Sequence, residues 1–164
     1  IMNYLNLDPK RTEATVEQLN VLLADYHIYY QKLRNFHWNV VGENFFDLHE
    51  KFEEMYNDTL IKIDEIAERI LTLRYQPVSH LSEYLKMANL KESPSETADL
   101  EMIELLLEDH GKLLTQMRKT VNFADEGGDE GTIDLLGAYI RELEKTSWML
   151  DSWRMTKSET HKKS

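Results

Sequence analysis

The sequence predicts an all-α protein, a four-helix bundle with a long crossover that carries a short helix between the second and third helices. Three observations lead there. The 164 residues include only 6 Gly and 3 Pro, which suits long helices joined by few turns. Apolar residues recur at helical spacing in four long stretches. The connection spanning 76–94 is too long for a tight turn, so it can run from one end of a bundle to the other.

Residues 1–14 are expected to be a flexible arm, 15–156 the bundle and 157–164 a polar tail. Thr15-Val16-Glu17-Gln18 matches a capping box, with Thr at N-cap and Gln at N3. Leu19, Leu22, Leu23, Tyr26, Tyr30 and Leu33 then mark the first helix, which Gly42 stops by accepting the left-handed conformation. The second helix runs from Phe45 to Arg74 without Gly or Pro, and Pro77 ends it. Leu81, Tyr84, Leu85 and Met87 suggest helical turns within the crossover. Ser93-Pro94-Ser95-Glu96 sets Ser at N-cap, Pro at N1 and Glu at N3 of the third helix. Leu100, Ile103, Leu106, Leu107, Leu113, Leu114, Met117 and Val121 carry that helix to about Phe123. An acidic, Gly-rich turn over 125–131 precedes a fourth helix that starts near Thr132 and ends near Met155.

The net charge of -11 argues against a body that grips nucleic acid through phosphates and fits one that attracts cations. With no Cys there are no disulfides and no thiolate ligands. No apolar run reaches the roughly 20 residues of a membrane span, and the first residues lack the apolar core of a signal peptide. A cytoplasmic protein is expected.

The second helix holds the chemistry. It carries two i,i+4 pairs, His49 with Glu53 and Asp64 with Glu68. Measured from His49, these four side chains fall at roughly 0°, 40°, 60° and 100° around the helix, so they share one side. No Lys or Arg interrupts that stripe. A stripe of carboxylates with one His suits a hard divalent cation; a solvated acidic face and interhelical hydrogen bonds are the alternatives. His49 and Asp64 lie 15 positions apart, about 22 Å along a helix, so the pairs cannot hold one ion within one chain. Two copies packed antiparallel about a two-fold axis near Tyr56 or Asn57 would bring each pair against the other and make two identical sites. Phe45, Leu48, Phe52, Met55, Ile63, Ile66, Ile70 and Leu73 form the core stripe of the helix. Leu60, Ala67 and Leu71 lie on the ligand side, so the helix is expected to be buried twice. Lys51, Glu54, Lys62, Glu65 and Arg69 take the remaining face. Standing alone, His27, His80, His110 and His161 read as structural or solvated. No Glu stands three residues before any His, so the Glu-x-x-His motif of a di-iron site inside one bundle is missing.

The run Asn35-Phe36-His37-Trp38-Asn39-Val40-Val41-Gly42, then Phe46, Leu48-His49 and Phe52-Glu53-Glu54, then Asp64-Glu65-Ile66-Ala67-Glu68-Arg69 resembles the Dps family. These are the mini-ferritins that protect DNA in starved bacteria. The resemblance spans about Leu19 to Trp153 and implies a ferritin-like bundle assembled into a hollow homo-dodecamer built from two-fold dimers. It implies a ferroxidase that oxidises Fe²⁺ with hydrogen peroxide and stores ferric mineral in the shell. His37, His49 and Glu53 of one subunit would act with Asp64 and Glu68 of its partner. Two irons side by side would give peroxide both electrons in one event and avoid hydroxyl radical. Glu53 stands where many members carry Asp, a departure that bears on the weaker second iron position. Trp38 resembles the family's site tryptophan, placed to intercept stray oxidising equivalents, and reads equally as a core aromatic at a helix end. Zinc would suit the same donors.

The resemblance also implies an acidic three-fold pore for iron near the start of the fourth helix. Glu130 and Asp134, with Asp125 and Asp129 nearby, are the counterparts, although acidic residues at helix N-termini also serve as caps. An alternative is a DNA-compacting structural protein with incidental metal binding. Lys10 and Arg11 in the arm and Lys157, Lys162 and Lys163 in the tail are its only flexible cations, and the acidic body opposes them.

Overall fold

A computed structural model describes residues 2–155. It contains α1 (Pro9–Asn39), α2 (Phe45–Thr72), α3 (Leu81–Met87), α4 (Asp99–Glu126) and α5 (Glu130–Arg154), with no strand among the described residues. Side-chain bonds fix the helix directions. Arg11 bonds the Glu126 carbonyl and Lys32 bonds Asp109, so α1 and α4 are antiparallel. Tyr30 meets Tyr56 while Asn20 meets Val78, so α1 and α2 are antiparallel too. Helices α2 and α4 therefore run the same way, and the crossover must travel the length of the bundle.

Polar side chains of α1 hold that crossover like rungs. Asn20 Oδ1 accepts from the Val78 N–H at 3.0 Å, Asp25 accepts from the Asn89 and Leu90 N–H groups, and Asn35 Nδ2 donates to the Ser93 carbonyl at 3.0 Å. Asp25 is buried, and burial pushes its carboxyl up while the Asn89 and Leu90 donors pull it back. The core lies between the four long helices, where Leu19, Leu33, Phe36, Phe52, Ile66 and Leu113 are fully buried.

Two helix starts differ from the sequence reading, and two helix ends close in Schellman motifs. Helix α1 starts at Pro9, not after Thr15, so residues 9–14 belong to the bundle and not to an arm. Asp8 caps it, with Oδ1 accepting from the Lys10 and Arg11 N–H groups, while Thr15 Oγ1 donates to the Arg11 carbonyl from within the helix. Before that cap, Leu5 and Leu7 pack on the core. Helix α2 ends before Pro77 in a Schellman motif, where the Arg74 N–H reaches the Leu71 carbonyl and the Tyr75 N–H the Ile70 carbonyl. Arg74 takes the left-handed conformation usual for Gly (φ 76°), with its guanidinium over the Tyr4 ring and bonded to the Tyr4 hydroxyl at 2.9 Å. Helix α4 starts at Asp99, not beside Ser93, because Asn35 holds the Ser93–Pro94 carbonyls in a non-helical segment. A second Schellman motif closes α4, with Gly128 in the left-handed position (φ 66°), and α5 follows at Glu130.

Candidate metal centre

His37 lies in the last turn of α1 and His49 in the second turn of α2, where the short connection folds the two helices together. The rings stack at 3.8 Å between centroids and 15° between planes. Each Nδ1 meets the backbone carbonyl of the other residue, at 2.7 Å from His37 to His49 and 2.8 Å from His49 to His37. A carbonyl can only accept, so both Nδ1 atoms carry the proton. Each Nε2 is then left with a lone pair and no partner among the described residues. Metal-binding imidazoles are usually held this way, with the remote N–H tied to an oxygen. Phe45 stacks on His49 at 4.8 Å, and Tyr56 meets His37 edge-on at 5.3 Å. His37 is 7% exposed, so its ring direction is set by packing as well as by the bond.

Glu53 follows His49 by one turn and is exposed, with the Tyr56 hydroxyl donating to it at 3.4 Å. Asp64 and Glu68 are exposed farther along α2, and neither carboxylate has a hydrogen-bond or ion-pair partner among the described residues. No three His, Cys, Asp or Glu side chains converge among the described residues of one chain. The candidate ligands thus form two incomplete groups, His37 of α1 with His49 and Glu53 near the start of α2, and Asp64 with Glu68 farther along α2. Leu60 and Leu71, between and beyond them, are 51% and 55% exposed in the single chain.

Trp38 is 57% exposed and lies under the Arg34 guanidinium at 4.8 Å, so it is not a core aromatic. Its ring belongs to the outer surface beside His37.

Of the proposed pore residues, Asp125, Glu130 and Asp134 are exposed at the α4–α5 turn. Asp129 is corrected by the structure. It is 4% exposed, caps α5, accepts from the Thr132 N–H and hydroxyl, and pairs with Arg69 at 2.7 Å. Its lone pairs are spent inside the fold, so it does not line a pore. The same bond shows what the remaining face of α2 does: it lies against α5. Lys62 pairs with Glu142 at 3.0 Å, Glu65 accepts from the Tyr139 hydroxyl at 3.1 Å, and Arg69 holds Asp129. Periodicity placed those three charges on one face and could not name their partners.

Among the cations assigned to DNA, Lys10 is exposed, and Arg11 is committed to the Glu126 carbonyl at 2.7 Å within the helical part of the chain. Lys157, Lys162 and Lys163, with His161, lie outside the described residues. Of the other histidines, His27 stacks on Tyr84 at 4.1 Å and His80 pairs with Glu83 at 2.8 Å. His110 is buried between Tyr29 and Ser147. No described helix is long and apolar enough to cross a membrane.

The ferritin-like domain family matches residues 16–156. DNA protection during starvation protein 2 of Bacillus anthracis is 44% identical over 139 residues, covering 84% of this chain and 94% of that protein. The crystal structure of the Dps protein from Vibrio cholerae O1 superposes with a TM-score of 0.91 at 44% identity. The match covers 94% of this chain and 97% of the other, and that protein is described as a member of a broad superfamily of ferritin-like diiron-carboxylate proteins. The Dps protein from Bacillus brevis superposes with a TM-score of 0.87 at 38% identity, covering 89% and 98%.

Proposed function

Because the chain belongs to the Dps family of ferritin-like proteins, we propose that it is a ferroxidase whose site is completed by a second copy of itself. In this reading His37, His49 and Glu53 of one subunit face Asp64 and Glu68 of its two-fold partner. Fe²⁺ is the substrate, hydrogen peroxide the oxidant, and ferric mineral the product, stored inside a hollow dodecamer. Removing free Fe²⁺ and peroxide together protects DNA from oxidative damage.

The carrying observation is the reciprocal clasp of His37 and His49, which leaves two imidazole lone pairs free where no third His, Cys, Asp or Glu converges among the described residues. The donor chemistry fits iron: imidazole nitrogen and carboxylate oxygen accept both Fe²⁺ and Fe³⁺, and few protein ligands leave positions open for an oxidant. The protein's task is orientation. The backbone carbonyls fix both ring tautomers, Phe45 and Tyr56 hold the ring planes, and the i,i+4 spacing sets the carboxylates one turn apart. The exposed Leu60 and Leu71 supply apolar surface for the partner to cover. Glu130 and Asp134, with Asp125, remain the candidate pore carboxylates through which Fe²⁺ enters. Trp38, beside His37, is placed to take up stray oxidising equivalents.

The test is ferrous oxidation by the His37→Ala/His49→Ala variant. Rapid oxidation should be lost while the size of the assembly is unchanged, and full activity would reject the site. The DNA-compacting alternative has less to stand on, since Arg11 is engaged by Glu126 and the net charge is -11. A gel-shift titration at about 150 mM salt decides it, with no retardation of DNA expected.

A further inference from the structure

We propose that Tyr29 and His110 form a buried redox pair that captures one-electron oxidants escaping the iron chemistry. Both residues sit inside the bundle, 3% and 1% exposed. The Tyr29 hydroxyl lies 2.7 Å from His110 Nε2, and His110 Nδ1 lies 2.7 Å from Ser147 Oγ. Ser147 gives its one hydroxyl proton to the Leu143 carbonyl at 2.7 Å. Its oxygen can therefore only accept from His110, which places the imidazole proton on Nδ1. Nε2 is then a base, and the phenol is its donor. Every proton in the chain is assigned by the bond that follows it.

Acid–base chemistry alone leaves this pair idle. Burial lowers the His110 imidazolium to about 3 and raises the Tyr29 phenol well above its ordinary value, so both stay neutral. Loss of an electron changes that, because a phenol radical cation is a far stronger acid than an imidazolium. The proton must leave at once, and Nε2, 2.7 Å away, is the acceptor already in place.

The surroundings can deliver an electron hole. The Tyr26 ring is 6.1 Å from Tyr29, Tyr139 is 6.5 Å from Tyr26, and the Met117 sulfur is 4.0 Å from the Tyr26 hydroxyl. A cavity of about 380 Å³ opens beside the cluster, and its wall includes Tyr26, Tyr29, Met55 and Met149. That is ample for a small oxidant, since a water molecule takes about 30 Å³ of liquid.

The oxidant is hydroxyl radical, formed when a single Fe²⁺ meets peroxide, so the inference rests on the iron-oxidation reading for its supply. Hydroxyl radical takes an electron from the tyrosine cluster and becomes hydroxide. The Tyr29 proton moves to His110 Nε2, leaving a phenoxyl radical and an imidazolium. A second Fe²⁺ returns the electron and becomes Fe³⁺, and Nε2 returns the proton. The sum is hydroxyl radical plus Fe²⁺ giving hydroxide plus Fe³⁺, with the pair restored.

The assembled protein is tested in two arms. One mixes Fe²⁺-loaded protein with peroxide and freezes it for electron paramagnetic resonance, with ferric absorbance followed in parallel. The other omits iron and uses a photo-excited ruthenium complex as oxidant. A tyrosyl radical is expected in both arms. Most of it should be lost in Tyr29→Phe and kept in Tyr75→Phe, and it should be shorter-lived in His110→Leu. In the unmodified protein the radical should show an exchangeable proton hydrogen-bonded to its oxygen, a readout that needs no variant to fold. An undiminished radical in Tyr29→Phe, or no such proton, overturns the pair. Normal ferric formation without a Tyr29 radical in either arm rejects the pair and leaves the ferroxidase reading standing. Failure of ferrous oxidation with a Tyr29 radical in the iron-free arm rejects the ferroxidase reading and supports the pair.

Discussion

Between α1 and α4, the Lys32 and Asp109 side chains are both 5% exposed and sit 2.6 Å apart; on the outward side of α2, Asp64 and Glu68 are exposed and meet no donor among the described residues. The contrast extends to the histidines. His110 uses both ring nitrogens inside the bundle, whereas His37 and His49 each use one. Among the described residues no buried side-chain nitrogen or oxygen lacks a partner. The interior is therefore closed chemistry that holds the fold, and the α2 face is where the proposed ligands keep open positions.

The sharpest way to break this contrast is to remove the open groups. His37→Ala/His49→Ala should slow ferrous oxidation by about 100-fold or more, because even residues that only orient a metal ligand are worth roughly 10- to 100-fold. Stopped-flow absorbance checks it, on variant protein first shown to keep its assembly size.

Subunit mixing sharpens it further. His37→Ala/His49→Ala and Asp64→Asn/Glu68→Gln should each be inactive alone. A mixed dimer carries one site with both halves intact and one with both halves lost. Co-assembled protein should therefore regain a fraction of the original rate, whereas sites contained within one chain would regain nothing.

The closed region should answer in stability instead. Asp109→Ala strands the Lys32 ammonium in the interior, and removing one partner of a buried pair costs about 3–5 kcal/mol. Denaturant unfolding of Asp109→Ala measures that, and replacing both residues by Met and Leu should recover most of it. Asp129→Ala removes a cap and the Arg69 bond together, with a smaller loss of about 1–3 kcal/mol expected from the same measurement.

The least effect is on pH dependence. His110 is held down to about 3 in the folded protein, against roughly 6.5 in an unfolded chain. Below the unfolded value the unfolded chain binds a proton that the native state refuses, so this group's contribution is full at neutral pH and declines as pH falls toward 3. The stability lost in His110→Gln should therefore be smaller at about pH 4.5 than at pH 7.

Much of this molecule was legible in the linear sequence, and the reason is periodicity. The 3.6-residue repeat marked the core stripe of α2, and the same arithmetic set His49, Glu53, Asp64 and Glu68 on one side and kept the two pairs too far apart to meet. Helix ends were less legible because they depend on which donor reaches an orphan group first. Thr15–Gln18 marked a helix start by pattern, and only the packed chain shows Asp8 taking the capping role six residues after Met2. Ser93-Pro94 read as a helix start until Asn35, 58 residues away, claimed its carbonyl.

The sequence by itself determined the helices and the stripe of His49, Glu53, Asp64 and Glu68 along α2, and its spacing kept the two pairs apart, since these follow from position along one element. Tertiary structure alone decided which way each polar group faces. It turned Asp129 inward to Arg69, tied His37 and His49 to each other's carbonyls, and joined Tyr29 to His110 across 81 positions. A hydrogen bond is a choice among competing partners, and that competition exists only once distant segments are brought within about 3 Å of one another.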